Sequence, residues 1–384
     1  MTTLTDAITP FRVAIPQTEL DDLNRRLRAT RWPNRETTPG WTQGVPLARA
    51  QALIAYWIDR YDWRRFEAKV NRFPQFRTRI DGIEVHFLHV KSRHEAALPL
   101  VLTHGWPGSI VEFLEVIRPL TDPTAFGGQA EDAFHVVVPS LPGFGFSDKP
   151  TEPGWDVNRI AKAWAELMPR LGYERWVSQG GDFGAGVSTA LGQMKPRGLL
   201  GIHLTLPFIV PKSMPTVLSP EEQQAVDSLG HFASDGSGYR IEQATRPQTI
   251  GYALADSPVG QATWIYEKFQ AWSDNTGLPE DALNIDAMLD NISLYWLTNS
   301  AASSARIYWE GRSMGFARGK VELPVGVTVF PREIFRAPRS WAEQNYPKLI
   351  YWNVAERGGH FAAFEQPVIF TREVRAAFRS LRST

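Results

Sequence analysis

The 384-residue chain contains no cysteine, which excludes disulfide bonds and thiolate metal ligands. It has no formal net charge, since 41 basic side chains balance 41 acidic ones, and nucleic acid is therefore not expected as a partner. No apolar run approaches the roughly 20 residues of a membrane span, and residues 1–6 carry neither the basic nor the apolar part of a secretory signal. The sequence predicts a cytoplasmic protein without membrane contact and leaves a homodimer open.

Aromatic residues, by contrast, are abundant. The chain has 14 tryptophans and 21 phenylalanines, and 43% of its residues are hydrophobic. This composition supports a large core, and the aromatic side chains suit both core packing and the lining of a pocket for an apolar substrate. The length corresponds to about two to three domains, or to one elaborated α/β domain.

Residues 1 to about 95 lack the pattern of a parallel sheet. Leucines at helical spacing predict a first helix that ends near residues 31–33, and a second helix is predicted over residues 47–61. The Asp-Gly pair at residues 81–82 is typical of a hairpin, so two short strands are expected on either side of it. We expect this N-terminal meander to pack on the rest of the protein.

From about residue 98, strands alternate with helices, which predicts a mostly parallel sheet covered by helices on both faces. The alternation stops between residues 207 and 320, where the chain is helical and rich in loops, and an insertion of that size is typical of a cap. The predicted division is an N-terminal region over 1–95, a core over 96–206 and 321–384, and a cap over 207–320.

The sequence Gly-Gly-Asp-Phe-Gly at residues 180–184 lies between a predicted strand and an alanine-rich stretch. It has the form of the nucleophile elbow of an α/β-hydrolase fold, with Asp182 where serine usually stands. Aspartate attacks a saturated carbon and leaves an alkyl ester, so the expected substrates are epoxides or alkyl halides rather than carboxylic esters. The alternative is a glycine-rich turn in which Asp182 merely caps the next helix.

The other two members of a hydrolase triad follow the nucleophile in the order acid, then histidine. His360 lies in a glycine-rich turn after the last predicted strand, and we expect it to be the base. Glu333 lies just past the preceding strand and is the expected acid, although it could also be a surface charge. Glu356 is closer to His360 in sequence but falls on the following loop.

The sequence His-Gly-Trp-Pro-Gly-Ser at residues 104–109 follows the first long apolar strand. A turn of this kind supplies one backbone N–H of an oxyanion hole, from Trp106, and the second comes from Phe183, directly after the elbow aspartate. His104 and Pro107 of the same turn are expected to contact substrate. A tight strand-to-helix turn with a buried histidine is an alternative that is compatible with these roles.

Together, these motifs resemble the microsomal-type epoxide hydrolases of the α/β-hydrolase superfamily, over nearly the whole chain. The N-terminal region is similar to the family's own N-terminal domain, which is not general to hydrolases. The resemblance rests on Trp57, residues 61–64, Asn71, residues 73–76 and 80–82, then 104–109, 180–182, 330–333 and 357–363, and in the cap 245–247, 256–260 and 267–269.

The resemblance implies an enzyme that needs no cofactor and no metal and that converts an apolar epoxide to a diol. It also implies two cap tyrosines that hold the epoxide oxygen, at positions matched by Tyr239 and Tyr308. Composition alone cannot select them, because the cap also contains Tyr252, Tyr266 and Tyr295. Phe183 departs from the tryptophan of many relatives, and the membrane anchor of the animal enzymes has no counterpart here.

Two other functions stay open at this point. A haloalkane dehalogenase shares the aspartate nucleophile but binds halide through tryptophan or asparagine N–H donors, for which Trp106 is available. A ligand-binding homologue that has lost its chemistry could keep the same fold and pocket. The presence of both His360 and Glu333 argues against such a pure binding protein.

Overall fold

The computed structural model describes residues 7–211, 214, 216–312 and 319–382. The interpretation of residues 1–6, and the parts of the predicted cap at residues 212–213, 215 and 313–318, lie outside the described residues. Within the described ranges, no helix is long and apolar enough to cross a membrane.

The described residues form one sheet of nine strands in the order β1-β2-β3-β5-β4-β6-β7-β8-β9. Strands β4 to β9 pair in parallel, whereas β1, β2 and β3 pair antiparallel and join the sheet through an antiparallel β3–β5 pair. The strands are β1 (Thr9–Phe11), β2 (Gln75–Ile80), β3 (Ile83–Val90), β4 (Leu98–Thr103), β5 (Phe134–Pro139), β6 (Trp176–Gly180), β7 (Leu199–Leu204), β8 (Val325–Val329) and β9 (Leu349–Val354).

Fifteen α-helices occur among the described residues, together with shorter 3-10 and π turns. They are α1 (Gln17–Arg28), α2 (Leu47–Asp59), α3 (Trp63–Val70), α4 (Leu114–Thr121), α5 (Val157–Arg170), α6 (Asp182–Met194), α7 (Pro220–His231), α8 (Gly238–Thr245), α9 (Pro247–Asp256), α10 (Pro258–Trp272), α11 (Ile285–Leu297), α12 (Ala301–Gly311), α13 (Arg339–Asn345), α14 (Ala362–Glu365) and α15 (Pro367–Phe378).

Side chains of the parallel strands alternate between two separate core clusters, as the two-residue period of a strand requires. On β4, Val101 belongs to the cluster that contains residues of α5 and α6, while Leu100 and Leu102 belong to the cluster formed with α4 and α15. Both faces of the sheet are thus covered by helices. The predicted α/β-hydrolase fold is confirmed, and the carboxyl ends of β4, β6, β8 and β9 share one edge.

The predicted hairpin at residues 81–82 is confirmed, with Asp81 at φ 48° and Gly82 at φ 85° between β2 and β3. Helix α3 was not predicted. Asp62 caps its start by accepting a hydrogen bond from the Arg64 N–H, and Trp63, Phe66 and Val70 bury one face. Its eight residues are too few for the periodicity to be distinctive in the sequence.

Helices α7 to α12 fill the chain between β7 and β8, and the described part of that segment contains no strand. The N-terminal region contacts this helical segment through polar side chains. The Tyr61 hydroxyl donates to Asp290 at 2.9 Å, and Arg26 donates to the Asp256 carbonyl at 3.0 Å. The N-terminal region therefore holds α9 and α11 above the sheet.

Candidate active site

Asp182 occupies the sharp turn between β6 and α6, with a positive φ of 48°. The backbone on both sides of this turn packs closely against neighbouring backbone atoms. A Cβ atom on Gly180 would overlap the carbonyl oxygen of Gly184, and one on Gly184 would overlap the carbonyl oxygen of Thr103. Small residues are therefore required on both sides of Asp182, and the turn projects the carboxylate beyond the end of the sheet.

The structure brings Asp182, Glu333 and His360 together, because they follow β6, β8 and β9 at the same sheet edge. The Nδ1 atom of His360 lies 2.7 Å from Oε1 of Glu333, and its Nε2 atom lies 3.7 Å from Oδ2 of Asp182. Oδ1 of Asp182 accepts a hydrogen bond of 2.9 Å from the backbone N–H of Trp106. All three triad side chains are buried.

Glu356, the alternative acid of the sequence analysis, is not part of this cluster. Its carboxylate is about half exposed and pairs with Arg372 at 2.7 Å. Glu333, by contrast, is 5% exposed and also accepts the N–H of Ile334 at 2.7 Å, which orients its carboxylate toward the imidazole.

The electrostatics of the three groups are coupled. Burial alone lowers the pKa of His360, but the charges of Glu333 and Asp182 outweigh it and raise the pKa to about 9. Burial raises the pKa of Asp182, while His360 and the N–H groups of Trp106 and Phe183 oppose that rise. The neighbouring negative charges therefore favour the protonated form of His360.

Glu365, which the sequence analysis did not single out, fixes the loop that carries His360. Its carboxylate accepts the N–H groups of Gly359 and Phe361, each at 3.0 Å, and that of Asp274 at 2.7 Å. The N–H of His360 donates to the Trp272 carbonyl at 2.9 Å, so α10 holds the same loop from above. No sequence signal indicates this role, because the contacts are formed only in the fold.

Tyr239 and Tyr308 lie over the oxyanion turn and are both buried. The Tyr239 ring stacks on Trp106 with centroids 5.1 Å apart, and the Tyr308 ring meets Phe183 edge-on at 4.7 Å. Burial and the charge of Asp182 raise the pKa of both phenols, which therefore stay protonated. The two phenols also interact with each other, which lowers the pKa of Tyr239 and raises that of Tyr308.

The three other cap tyrosines are placed differently. The Tyr295 hydroxyl donates to the Gly108 carbonyl at 2.8 Å, and the Tyr266 hydroxyl donates to Glu280 at 2.6 Å. Tyr252 is 70% exposed. Tyr239 and Tyr308 differ from these three in that their rings contact the Trp106 ring.

His104 is buried, and both of its ring nitrogens contact backbone atoms. Nδ1 lies 3.0 Å from the Gly105 carbonyl, and Nε2 accepts the N–H of Leu141 at 3.2 Å. Burial lowers the pKa of His104 to about 4, so the ring is neutral. The Trp106–Pro107 peptide is cis, and the Pro107 carbonyl accepts the amide of Asn291 at 2.8 Å. Both residues shape the turn, and their contact with substrate stays a prediction.

Lys268 is a second residue that the sequence analysis left without a role. Its Nζ atom lies 4.4 Å from the centre of the Tyr239 ring and 5.6 Å from that of Trp272, and it pairs with Glu267. A lysine with only 8% of its side chain exposed thus places positive charge against the phenol. In the sequence, Lys268 is distinguished only by its place in the motif at residues 267–269, which does not predict its contact with Tyr239.

An aspartate elbow with an adjoining histidine–glutamate pair, at the carboxyl edge of this sheet, defines an α/β hydrolase whose elbow carries a carboxylate. Residues 99–353 match the family model described as alpha/beta hydrolase fold, and residues 8–113 match the model of the epoxide hydrolase N terminus.

Relatives and solved structures agree with these matches. A Stigmatella aurantiaca protein named "Putative epoxide hydrolase" is 66% identical, over 98% of this chain and 86% of its own length. Epoxide hydrolase 1 of Sus scrofa is 34% identical, over 96% of this chain and 88% of its own length. The structure of an Aspergillus niger epoxide hydrolase is 32% identical with a TM-score of 0.87, over 98% of this chain and 97% of that one. The chain belongs to the microsomal-type epoxide hydrolases, and the resemblance seen in its motifs is confirmed.

Proposed function

We propose that this chain converts an apolar epoxide and water to a vicinal diol through an alkyl ester formed on Asp182. The observation that carries the proposal is the arrangement around one carboxylate. Oδ1 of Asp182 is held by the Trp106 N–H, Oδ2 lies beside His360, and two buried phenols lie over the same turn. This arrangement suits attack on a saturated carbon followed by hydrolysis.

In the first step, Oδ2 of Asp182 attacks the less hindered epoxide carbon and the carbon–oxygen bond of the ring breaks. Tyr239 and Tyr308 donate to the departing oxygen, since an alkoxide left unprotonated among aromatic rings would be strongly disfavoured. The imidazolium of His360 replaces the proton that the phenols supply. The step ends with a neutral hydroxy-ester and a neutral imidazole.

In the second step, His360 takes a proton from water and the hydroxide bonds to Cγ of Asp182. The N–H groups of Trp106 and Phe183 stabilise the oxyanion on Oδ1. Formation of the ester has removed the charge of Asp182, one of the two carboxylates that hold His360 protonated, so the imidazole is now a competent base. The Cγ–Oδ2 bond then breaks, and the diol oxygen leaves with the proton from His360. Asp182, left as the acid, passes its proton to the neutral imidazole, which restores the starting state.

The substrate class follows from the lining of the site. Trp106, Phe183, Trp272 and the two phenol rings form a continuous set of aromatic contacts, which suits an apolar epoxide. A cytoplasmic location and a homodimer stay predictions from the sequence. The same holds for substrate contact at His104 and Pro107.

The alternatives have less support. A dehalogenase needs N–H donors for halide at the reacting carbon, whereas this site places two phenol hydroxyl groups over the same turn. In a protein that only binds a ligand, the imidazole of His360, held at 2.7 Å by a buried glutamate, would have no catalytic role. Halide release from alkyl bromides, or an absence of styrene oxide turnover, would favour these alternatives.

Replacing Glu333 with glutamine tests the two-step proposal. The substitution removes a charge that raises the pKa of His360, so that pKa should fall, and the imidazole loses the partner that orients it. We expect ester hydrolysis to slow by about 10²–10⁴-fold, by analogy with other triads that lose the orienting carboxylate. Rapid-quench mass spectrometry of the peptide that contains Asp182 should then detect accumulated ester with styrene oxide.

Glu356→Gln is the matched control, because this glutamate is exposed and pairs with Arg372 away from the site. It should retain normal turnover. Near-normal turnover of Glu333→Gln, or a loss of turnover without any ester, would contradict the assigned role of Glu333.

A further inference from the structure

A small cavity lies against the catalytic carboxylate. The centre of a water molecule can occupy about 20 Å³ of this cavity. On the same measure, roughly 10–15 Å³ is enough to hold one water molecule. Its lining includes Asp182 and His360 but neither Tyr239 nor Tyr308. The cavity is therefore separate from the phenols that receive the epoxide oxygen.

Gln179, the next-to-last residue of β6, lines this cavity and carries an unpaired polar atom. Its side chain is 1% exposed, and its Oε1 atom has no hydrogen-bond partner among the described residues. A buried carbonyl oxygen without a donor is strongly disfavoured, and a bound water molecule is the usual solution. The cavity is thus polar as well as large enough for water.

Glu112 supplies a carboxylate to the same cavity. Its Oε1 atom fills the space in which a Cβ atom of Gly108 would lie, so the glycine of the oxyanion turn is what admits it. Burial raises the pKa of Glu112 to about 8, and the charge of His360 opposes that rise. Glu112 and His360 therefore influence each other's charge across this cavity.

We infer that this cavity binds the water molecule consumed in the second step, and that Glu112 and Gln179 are the residues that position it. The inference rests on the proposed covalent function. Water donates one hydrogen bond to Oε1 of Gln179 and passes its other proton to Nε2 of His360, while its oxygen bonds to Cγ of Asp182. Glu112 undergoes no net change, and its carboxyl group lines the cavity beside the water and interacts with the charge of His360.

The test separates the two half-reactions in Glu112→Gln. Glutamine is isosteric and can keep the contact of this position with the Ser109 N–H at the start of the turn Ile110–Phe113, so the fold should persist. We expect the rate of Asp182 alkylation by styrene oxide to stay within about twofold of wild type. Ester hydrolysis should slow by roughly 10–10²-fold, on the scale of one general acid–base contribution.

Gln179→Met is the second variant, because it removes the acceptor at nearly constant volume and should show the same split. Glu115→Gln, on the exposed side of α4, is the control and should leave both rates unchanged. A purely structural role for Glu112 predicts that both steps fall together with the melting temperature.

Hydrolysis at the wild-type rate in both cavity variants would overturn the inference, as would equal losses in the two steps. Failure of the proposed function itself would look different, since wild-type enzyme would then form no ester at all. The wild-type burst, measured in the same experiment, distinguishes the two cases.

Discussion

Replacing Asp182 with alanine is expected to abolish diol formation, because no other side chain in the elbow can form the ester. The fold should survive, since the substitution removes a buried carboxylate whose pKa burial already raises, and the small side chain fits the turn. The measurement is diol production from styrene oxide over long incubation, with circular dichroism and melting temperature recorded in parallel. Asp21→Ala, at an exposed position on α1, is the control and should retain full activity.

A folded Asp182→Ala variant that still formed diol at a measurable enzymatic rate would contradict the covalent mechanism. Water would then have to attack the epoxide directly, with His360 as the base. The elbow geometry would remain, but the positive φ of 48° at Asp182 would have no catalytic explanation.

The double substitution of Tyr239 and Tyr308 by phenylalanine is expected to stop alkylation of Asp182 almost completely. Each phenol contributes roughly 10–10³-fold on the usual scale for one acid or one oxyanion donor, so either single variant should keep a slower reaction. With both hydroxyls gone, the alkoxide would form unprotonated among aromatic rings. Hydrolysis of an ester already formed should change little, because that step uses His360 and the oxyanion hole.

Quenched-flow measurement of the alkylation rate distinguishes the single and double variants. Tyr252→Phe is the matched control, since this cap tyrosine is 70% exposed. An unchanged alkylation rate in the double variant would make Tyr239 and Tyr308 packing residues. The acid would then have to be sought elsewhere, although Tyr266 and Tyr295 already donate to Glu280 and to the Gly108 carbonyl.

Much of the site could be predicted from sequence because its requirements are local. The turn at Asp182 needs glycine at fixed offsets, and the order nucleophile, acid, histidine limits the other two members to the loops after β8 and β9. Glu333 and Glu356 follow successive strands, and chain order was enough to favour the one that the structure places 2.7 Å from His360.

The selection of two cap tyrosines among five could not be derived from residue pattern. It depended on the resemblance, because which phenols pack over Trp106 is decided by the arrangement of α8 and α12 above the sheet. Glu112 and Glu365 were missed for a similar reason. Their carboxylates contact the site through the packing of neighbouring loops, and such contacts leave no periodic signal in a single sequence.

The fold showed the same division between local and distant effects. The hairpin around Gly82 followed from its turn chemistry, and the strand–helix alternation predicted the parallel sheet. Helix α3 did not emerge, because an eight-residue helix is defined mainly by what its apolar face packs against. The antiparallel pairing of β3 with β5, which joins the meander to the main sheet, likewise depends on contacts distant in sequence.

The most direct measurement of the covalent route is a single turnover in water enriched in heavy oxygen, with enzyme in excess over styrene oxide. The ester mechanism transfers an existing oxygen of Asp182 to the diol, so the first diol should carry little label. The peptide that contains Asp182 should gain one heavy oxygen, detected by mass spectrometry. Quantitative label in the first diol, with an unlabelled Asp182 peptide, would show that water attacks the epoxide directly and would contradict the ester on Asp182.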